Sequence, residues 1–167
     1  MHMSLLLFLT LRQGKIAPVY AMQLVKKCTS CVIVTPQSKD QKVRILRILW
    51  GSDVKLGDRI ALKGFVYSDT IGGPKEPEFM SYEVPERSIV FLRPPPARLR
   101  LTSTERFADL PMIHFGEPRQ DCQIEDGPLV VGKVMFSPTM KHSRPKSVSL
   151  DEVVKELVRM KLSLAKT

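Results

Sequence analysis

Apolar and polar positions divide the chain into short β-rich runs, a stretch rich in proline and arginine, and a final amphipathic segment. Leu24 to Thr35 reads as a strand that ends in Val32-Ile33-Val34 and is stopped by Pro36. The polar turn Gln37 to Lys42 separates it from a second β-rich run, Val43 to Trp50. Gly51-Ser52-Asp53 breaks that run, and Val54 to Asp58 leads into a third, Arg59 to Tyr67. Alternation in the third run turns Ile60, Leu62 and Phe65 towards a core and Arg59, Ala61 and Lys63 away from it. Gly64 then marks a bend. A loop with Gly72-Gly73-Pro74 and Pro77 follows, and Met80 to Glu83 and Ser88 to Leu92 supply two more strands.

Five short strands joined by turn signals fit a small closed barrel better than a sandwich. Pro94-Pro95-Pro96 cannot join a central sheet and marks the end of that region. Residues 107–148 carry scattered prolines and one strand, Leu129 to Val134, and read as an extension ordered by a partner surface. Ser149 caps a last helix and Glu152 completes a capping box, with Leu150, Val153, Val154, Leu157, Met160 and Leu164 at helical spacing. The expected fold is therefore mainly β: a small five-stranded barrel of oligonucleotide-binding (OB) type with extended basic tails and a C-terminal α-helix. Its parts are an extension at 1–22, the barrel at 23–93, a proline- and arginine-rich extension at 94–148 and the helix at 149–167.

Charge changes the picture from fold to partner. Lysine and arginine number 26 against 17 aspartate and glutamate, a net charge of +9. Such a balance favours a polyanion, because neutralising phosphates releases condensed counterions. No lysine-rich amphipathic helix points to a membrane surface. Residues 1–39 contain no acid, with Arg12, Lys15, Lys26, Lys27 and Lys39 spaced among them. That segment reads as an organelle transit peptide, an RNA-contacting tail or the first element of the domain, and it points to the mitochondrion. The arginines 87, 93, 98, 100 and 106 form a second basic series, suited to a phosphate-binding arm.

Catalytic patterns are absent from the sequence: no phosphate loop, no Gly-x-Ser-x-Gly elbow and no His-Glu-x-x-His. His2, His114 and His142 stand far apart and read as surface or RNA-facing residues. The expectation is a binding protein, not an enzyme, with no cofactor and no small-molecule substrate. Cys28-Thr29-Ser30-Cys31 is half of a zinc ligand set, with Cys122 and His114 the residues offered to complete it. Spacing by three on a strand sends the two thiols to opposite faces, so no metal site is expected and both cysteines read as small buried hydrophobes.

Two stretches carry a resemblance. Val32 to Ile45, an apolar strand, a turn with Lys39 and Lys42 three apart and a second strand with basic residues, resembles the opening hairpin of the family of the seventeenth small-subunit ribosomal protein. Val54-Lys55-Leu56-Gly57-Asp58-Arg59-Ile60-Ala61-Leu62 resembles that family's Gly-Asp turn and following strand. Where the family has a long basic hairpin between its second and third strands, this chain has only Leu49 to Asp53. The resemblance implies an OB-fold protein of a ribosome, here a mitochondrial one, with ribosomal RNA and neighbouring ribosomal proteins as partners. The expected RNA contacts are Lys26, Lys27, Lys39, Lys42, Arg44, Arg47, Lys55, Arg59, Lys63, Arg87, Arg93, Arg98 and Arg100.

Arg47-Ile48-Leu49-Trp50-Gly51 and Leu62-Lys63-Gly64-Phe65-Val66 also resemble strands of single-stranded DNA-binding proteins. That reading would stack bases on Trp50, Phe65, Tyr67 or Tyr82. A third possibility is a protein-only scaffold subunit of an organelle complex.

Overall fold

In a computed structural model, which describes residues 19–66, 78–116, 119–121, 129–136 and 147–166, the chain is mainly β with a C-terminal helix. Strand β1 (Val19–Tyr20) leads directly into helix α1 (Ala21–Lys27). The main sheet is built from β2 (Ser30–Val34), β3 (Val43–Trp50), β4 (Arg59–Val66), β5 (Glu78–Ser81) and β6 (Arg87–Leu92). Two three-residue strands, β7 (Glu105–Phe107) and β8 (Ile113–Phe115), join it. Beyond it lie β9 (Arg119–Asp121), β10 (Val130–Val131), β11 (Val134–Met135), β12 (Ser147–Ser149) and helix α2 (Leu150–Ala165). The expected count of five strands is too low, because twelve are present among the described residues.

The sheet runs β5-β4-β3-β2-β6-β8 and is antiparallel along that path. It curls. β7 returns to lie parallel to β4, pairing Ala61 with Glu105 and Lys63 with Phe107. A single antiparallel bridge, Arg93 to Phe107, then links β7 to the end of β6, with the Arg93 amide donating to the Phe107 carbonyl at 3.0 Å. The strand that meets both β4 and β6 thus lies beyond the triple proline, the boundary expected from the sequence.

Two apolar clusters follow from strand alternation. Val32 and Val34 of β2, Val90 and Leu92 of β6, Val43 and Ile45 of β3, and Ile60 and Leu62 of β4 fill the interior of the curl. Cys31 and Ile33, with Ile89 and Phe91, point the other way into a second cluster. There they meet Leu24 and Val25 of α1, Val153, Val154, Leu157 and Met160 of α2, and Val131, Val134 and Phe136. β2 is therefore buried on both faces, and every residue in it is buried. Burying a Val, Leu or Ile side chain is worth roughly 1.5–3 kcal/mol, so both the outer layer and the interior stabilise the sheet.

Helix α2 matches its expectation. The Glu152 amide donates to the Ser149 hydroxyl at 3.2 Å and the Ser149 amide to the Glu152 carboxylate at 2.6 Å. Helix α1 replaces the strand expected from Leu24 through Cys28. Ala21, Leu24, Val25 and Cys28 instead share one buried helical face. Cys28 caps α1 and Cys31 lies on β2, and both thiols enter the outer cluster instead of opposite faces. Burial pushes the Cys28 thiol up, opposed by the nearby Trp50 side chain and Lys161, and pushes Cys31 well up.

Candidate nucleic-acid interface

The polar turn between β2 and β3 is held by its own side chains. The Ser38 hydroxyl accepts from the Asp40-paired Arg59 guanidinium at 3.2 Å, and the Ser38 amide donates to the Lys42 carbonyl at 3.1 Å. The Ser38 hydroxyl also bonds Asp40, and the Lys42 amide donates to the Asp40 carboxylate at 3.2 Å. Gln41 takes a positive φ of 62°, which closes the turn. The result presents Lys39 outward and leaves Lys42 half-buried.

A second turn docks beside the first. Lys55 and Asp58 close it through an amide-to-carboxylate bond at 3.0 Å, with Gly57 at φ 84°. Ile45 donates to the Asp58 carbonyl and accepts from the Gly57 amide, both at 2.9 Å, so this turn sits on β3 next to Arg44. Arg44 faces Arg59 across the β3–β4 register. Arg59 in turn reaches over to Asp40 at 2.6 Å. The two stretches that carry the family resemblance, eleven residues apart at Arg44 and Lys55 and more at Lys39, thereby form one surface. Lys39, Lys42, Arg44, Lys55 and Arg59 gather on it against Asp40 and Asp58. The hydroxyl of Ser38, with the Lys42 amide and Arg59, holds the Asp40 carboxyl below its ordinary range.

The connection from β6 to β7 brings a further pair. Leu99 is buried, and its amide donates to the Pro96 carbonyl at 2.9 Å. That anchor leaves Arg98 and Arg100 exposed on either side of it.

Other expected contacts are spoken for within the chain. Lys63 donates to Ser81 at 2.8 Å and lies 3.6 Å from Glu105. Glu105 is held below its ordinary range, chiefly by the Thr102 hydrogen bonds and then by Lys63. Arg93 pairs with Asp109 at 3.0 Å, and Arg47 with Asp151 at 3.8 Å. Lys26 and Lys27 are exposed at the end of α1, on the covered side of β2 and away from the turn. Arg87 is exposed at the start of β6. Arg106, named with the arginine series, is used by the backbone carbonyls of Ser103 and Glu105 at 2.8 Å.

The aromatic candidates for stacking are placed differently. Trp50 is half-buried against the outer cluster, and the Lys161 ammonium lies 5.7 Å from its ring centroid. Its indole N–H is buried without a hydrogen-bond partner among the described residues. Tyr82 lies over Gly64 so closely that no Cβ would fit there, which is why β4 carries glycine at that point. Tyr67 and Cys122 lie outside the described residues, as do Arg12, Lys15, His2 and His142, and only the backbone of Phe65 is described. His114, expected at the surface, is half-buried on β8 with its Nδ1 2.6 Å from the hydroxyl of the fully buried Ser88. No group of three or more potential metal-ligating side chains occurs among the described residues.

The signal missed in the sequence was pairing. Charge counting could not tell that Asp40, Glu105 and Asp109 each take one of the expected RNA contacts. Comparison with family models, with curated proteins and with solved structures finds no match for this chain.

Proposed function

We propose that the chain is a non-catalytic RNA-binding protein on an OB-like barrel, a structural constituent of a ribonucleoprotein particle, with the mitochondrial small ribosomal subunit as the particle to test first. The observation that carries the reading is the union of two sequence-distant turns into one basic surface by the Arg59–Asp40 pair. The pairing order β2-β3-β4-β7-β6, with β7 parallel to β4, supports the OB-like assignment. Barrels of that kind bind polynucleotides on their second and third strands and on the loops between strands one and two and between four and five. Here those parts are β3, β4, the Lys39–Lys42 turn and the arm with Arg98 and Arg100.

Phosphate contact fits this surface better than base stacking, because it offers guanidinium and ammonium groups and the tryptophan is elsewhere. Lys39, Lys42, Arg44, Lys55, Arg98 and Arg100 are the residues that meet RNA, and Arg59 positions the turn. Changing Lys39 and Lys42 together to Ala removes up to two phosphate contacts, so the slope of log affinity against log salt should fall by about 2. Anisotropy titrations of a labelled RNA across a salt series measure it. An unchanged slope means that the turn does not touch phosphate. Sedimentation from organelle lysate with and without ribonuclease tests the particle: loss of co-migration with the small subunit after nuclease supports the ribosomal placement, and nuclease-resistant migration overturns it.

A further inference from the structure

Beside the basic turn, between the β5–β6 connection and the segment after β7, lies a cleft of about 440 Å³. Its walls are apolar: Tyr82, Leu110, Pro111 and Met112. Its polar groups are mostly acceptors, the carboxylates of Glu83 and Asp109 and the ring of His114, with Lys133 as a cation. Asp109 also takes the Arg93 guanidinium at 3.0 Å. Burial, then the Asp109 charge, pushes the Tyr82 hydroxyl up, so it stays protonated near neutrality.

The roles of the two His114 nitrogens are linked to the Ser88 hydroxyl. The Ser88 hydroxyl donates to the Glu86 carbonyl at 2.9 Å, and a hydroxyl has one proton to give. With that proton so used, the 2.6 Å contact with His114 takes its proton from Nδ1, the tautomer on which this reading of the cleft rests. In the neutral ring Nε2 is then an unprotonated acceptor, and it belongs to the ring edge turned away from buried Ser88. An apolar slot with several acceptors at its rim recognises a flat ring that presents N–H donors.

The cleft is also tied to the basic surface. The Gln37 amide donates to the Val84 carbonyl at 2.7 Å. Glu83 of the cleft precedes Val84, and Lys39 follows Gln37 by two residues, or about 7 Å of backbone. That is the scale of the step from a phosphate to its own base.

We infer that this cleft takes one unstacked nucleobase carrying an exocyclic amine, with its phosphate at the Lys39–Lys42 turn. The inference rests on the RNA-binding reading and adds base preference to it. Tyr82, Leu110, Pro111 and Met112 cover the ring faces, and Glu83, Asp109 and His114 Nε2 accept from the amine. Uracil offers a single ring N–H between two carbonyl acceptors, and those carbonyls would face carboxylates.

The test uses the full chain and short labelled oligo(A), oligo(C) and oligo(U) in anisotropy titrations at several salt concentrations. Oligo(A) and oligo(C) should bind about tenfold more tightly than oligo(U), as expected of a lost charged hydrogen-bond pair. His114→Phe, which keeps the ring and removes both nitrogens, should erase most of that difference and leave the salt slope unchanged. Should the variant fail to fold, titrating the wild-type chain with adenosine, cytidine and uridine monophosphates while following the His114 ring signals by NMR decides the matter. Movement with the first two and not with the third supports the cleft. Steeply salt-dependent binding that ignores base identity, with still His114 signals, overturns the pocket and leaves the RNA reading standing. No binding of any oligonucleotide at low salt overturns both.

Discussion

The interior of the curled sheet and the layer on its outside share two strands but are built differently. The interior is a set of aliphatic residues, mostly valine and isoleucine, supplied within Val32–Ala108. The outer cluster draws on the chain from Ala21 to Met160, joining α1, α2, β8 and the β10–β11 hairpin over the backs of β2 and β6. One is a core made by neighbours in sequence, the other by the two ends of the molecule. Segments that composition marks as tails therefore include a structural layer, and a charged segment is not free for a partner merely because it flanks a barrel.

Substitutions on the two sides separate them. Leu62→Asp, in the interior, buries an unpaired carboxylate beside Ile60 and Val90 and should cost more than about 4 kcal/mol. Circular dichroism should show a largely unfolded chain; a cooperative native transition would mean that the curl opens to admit the charge. Leu157→Ala, in the outer layer, should cost about 2–5 kcal/mol through the cavity it leaves. Trp50 is the chain's single tryptophan and packs against that layer, so its fluorescence reports the outside alone. Coincident fluorescence and far-ultraviolet transitions in urea would make the two clusters one cooperative unit. Earlier loss of fluorescence would show the layer detaching from an intact sheet.

Smaller effects refine the boundary. Ser149→Ala removes the α2 cap and should lower stability by about 1 kcal/mol, moving the Trp50 transition at least as much as the other. Acid should act most weakly. The Asp40 carboxyl is held low in the folded chain, so its contribution is fully present above the ordinary value and lost as pH falls through the folded one. Thermal melts of wild type and Asp40→Asn should therefore converge only below about pH 4.

The sequence made local features visible and hid the ones made by distant pairing. The α2 cap and stripe lie within sixteen residues and are legible as they stand. Ile60 and Leu62 are buried where alternation puts them. The unbroken apolar runs Cys31–Val34 and Ile89–Leu92 already carry the mark of strands covered on both sides. Helix α1 was hidden because Val25 and Cys28 continue into those β-branched residues, although Ala21, Leu24, Val25 and Cys28 keep a helical spacing. β7 gives no local sign, since Glu105-Arg106-Phe107 owes its pairing to β4, more than forty residues earlier. In the candidate site, the lysines of the turn could be named from their spacing; which arginines Asp40 and Asp109 would claim could not.

The parallel pairing of β1 with β11, Val19 to Val134, bears on how the chain is made. A ribosome adding about 5–20 residues per second needs on the order of ten seconds to synthesise the partner of β1 after β1 itself has emerged. During that interval Leu24 and Val25 have no α2 to lie against. The curled sheet can close once β7 is out, but its outside is finished last, so the nascent protein passes through a stage with the backs of β2 and β6 bare. Aggregation during synthesis, and any chaperone that prevents it, would act on that surface.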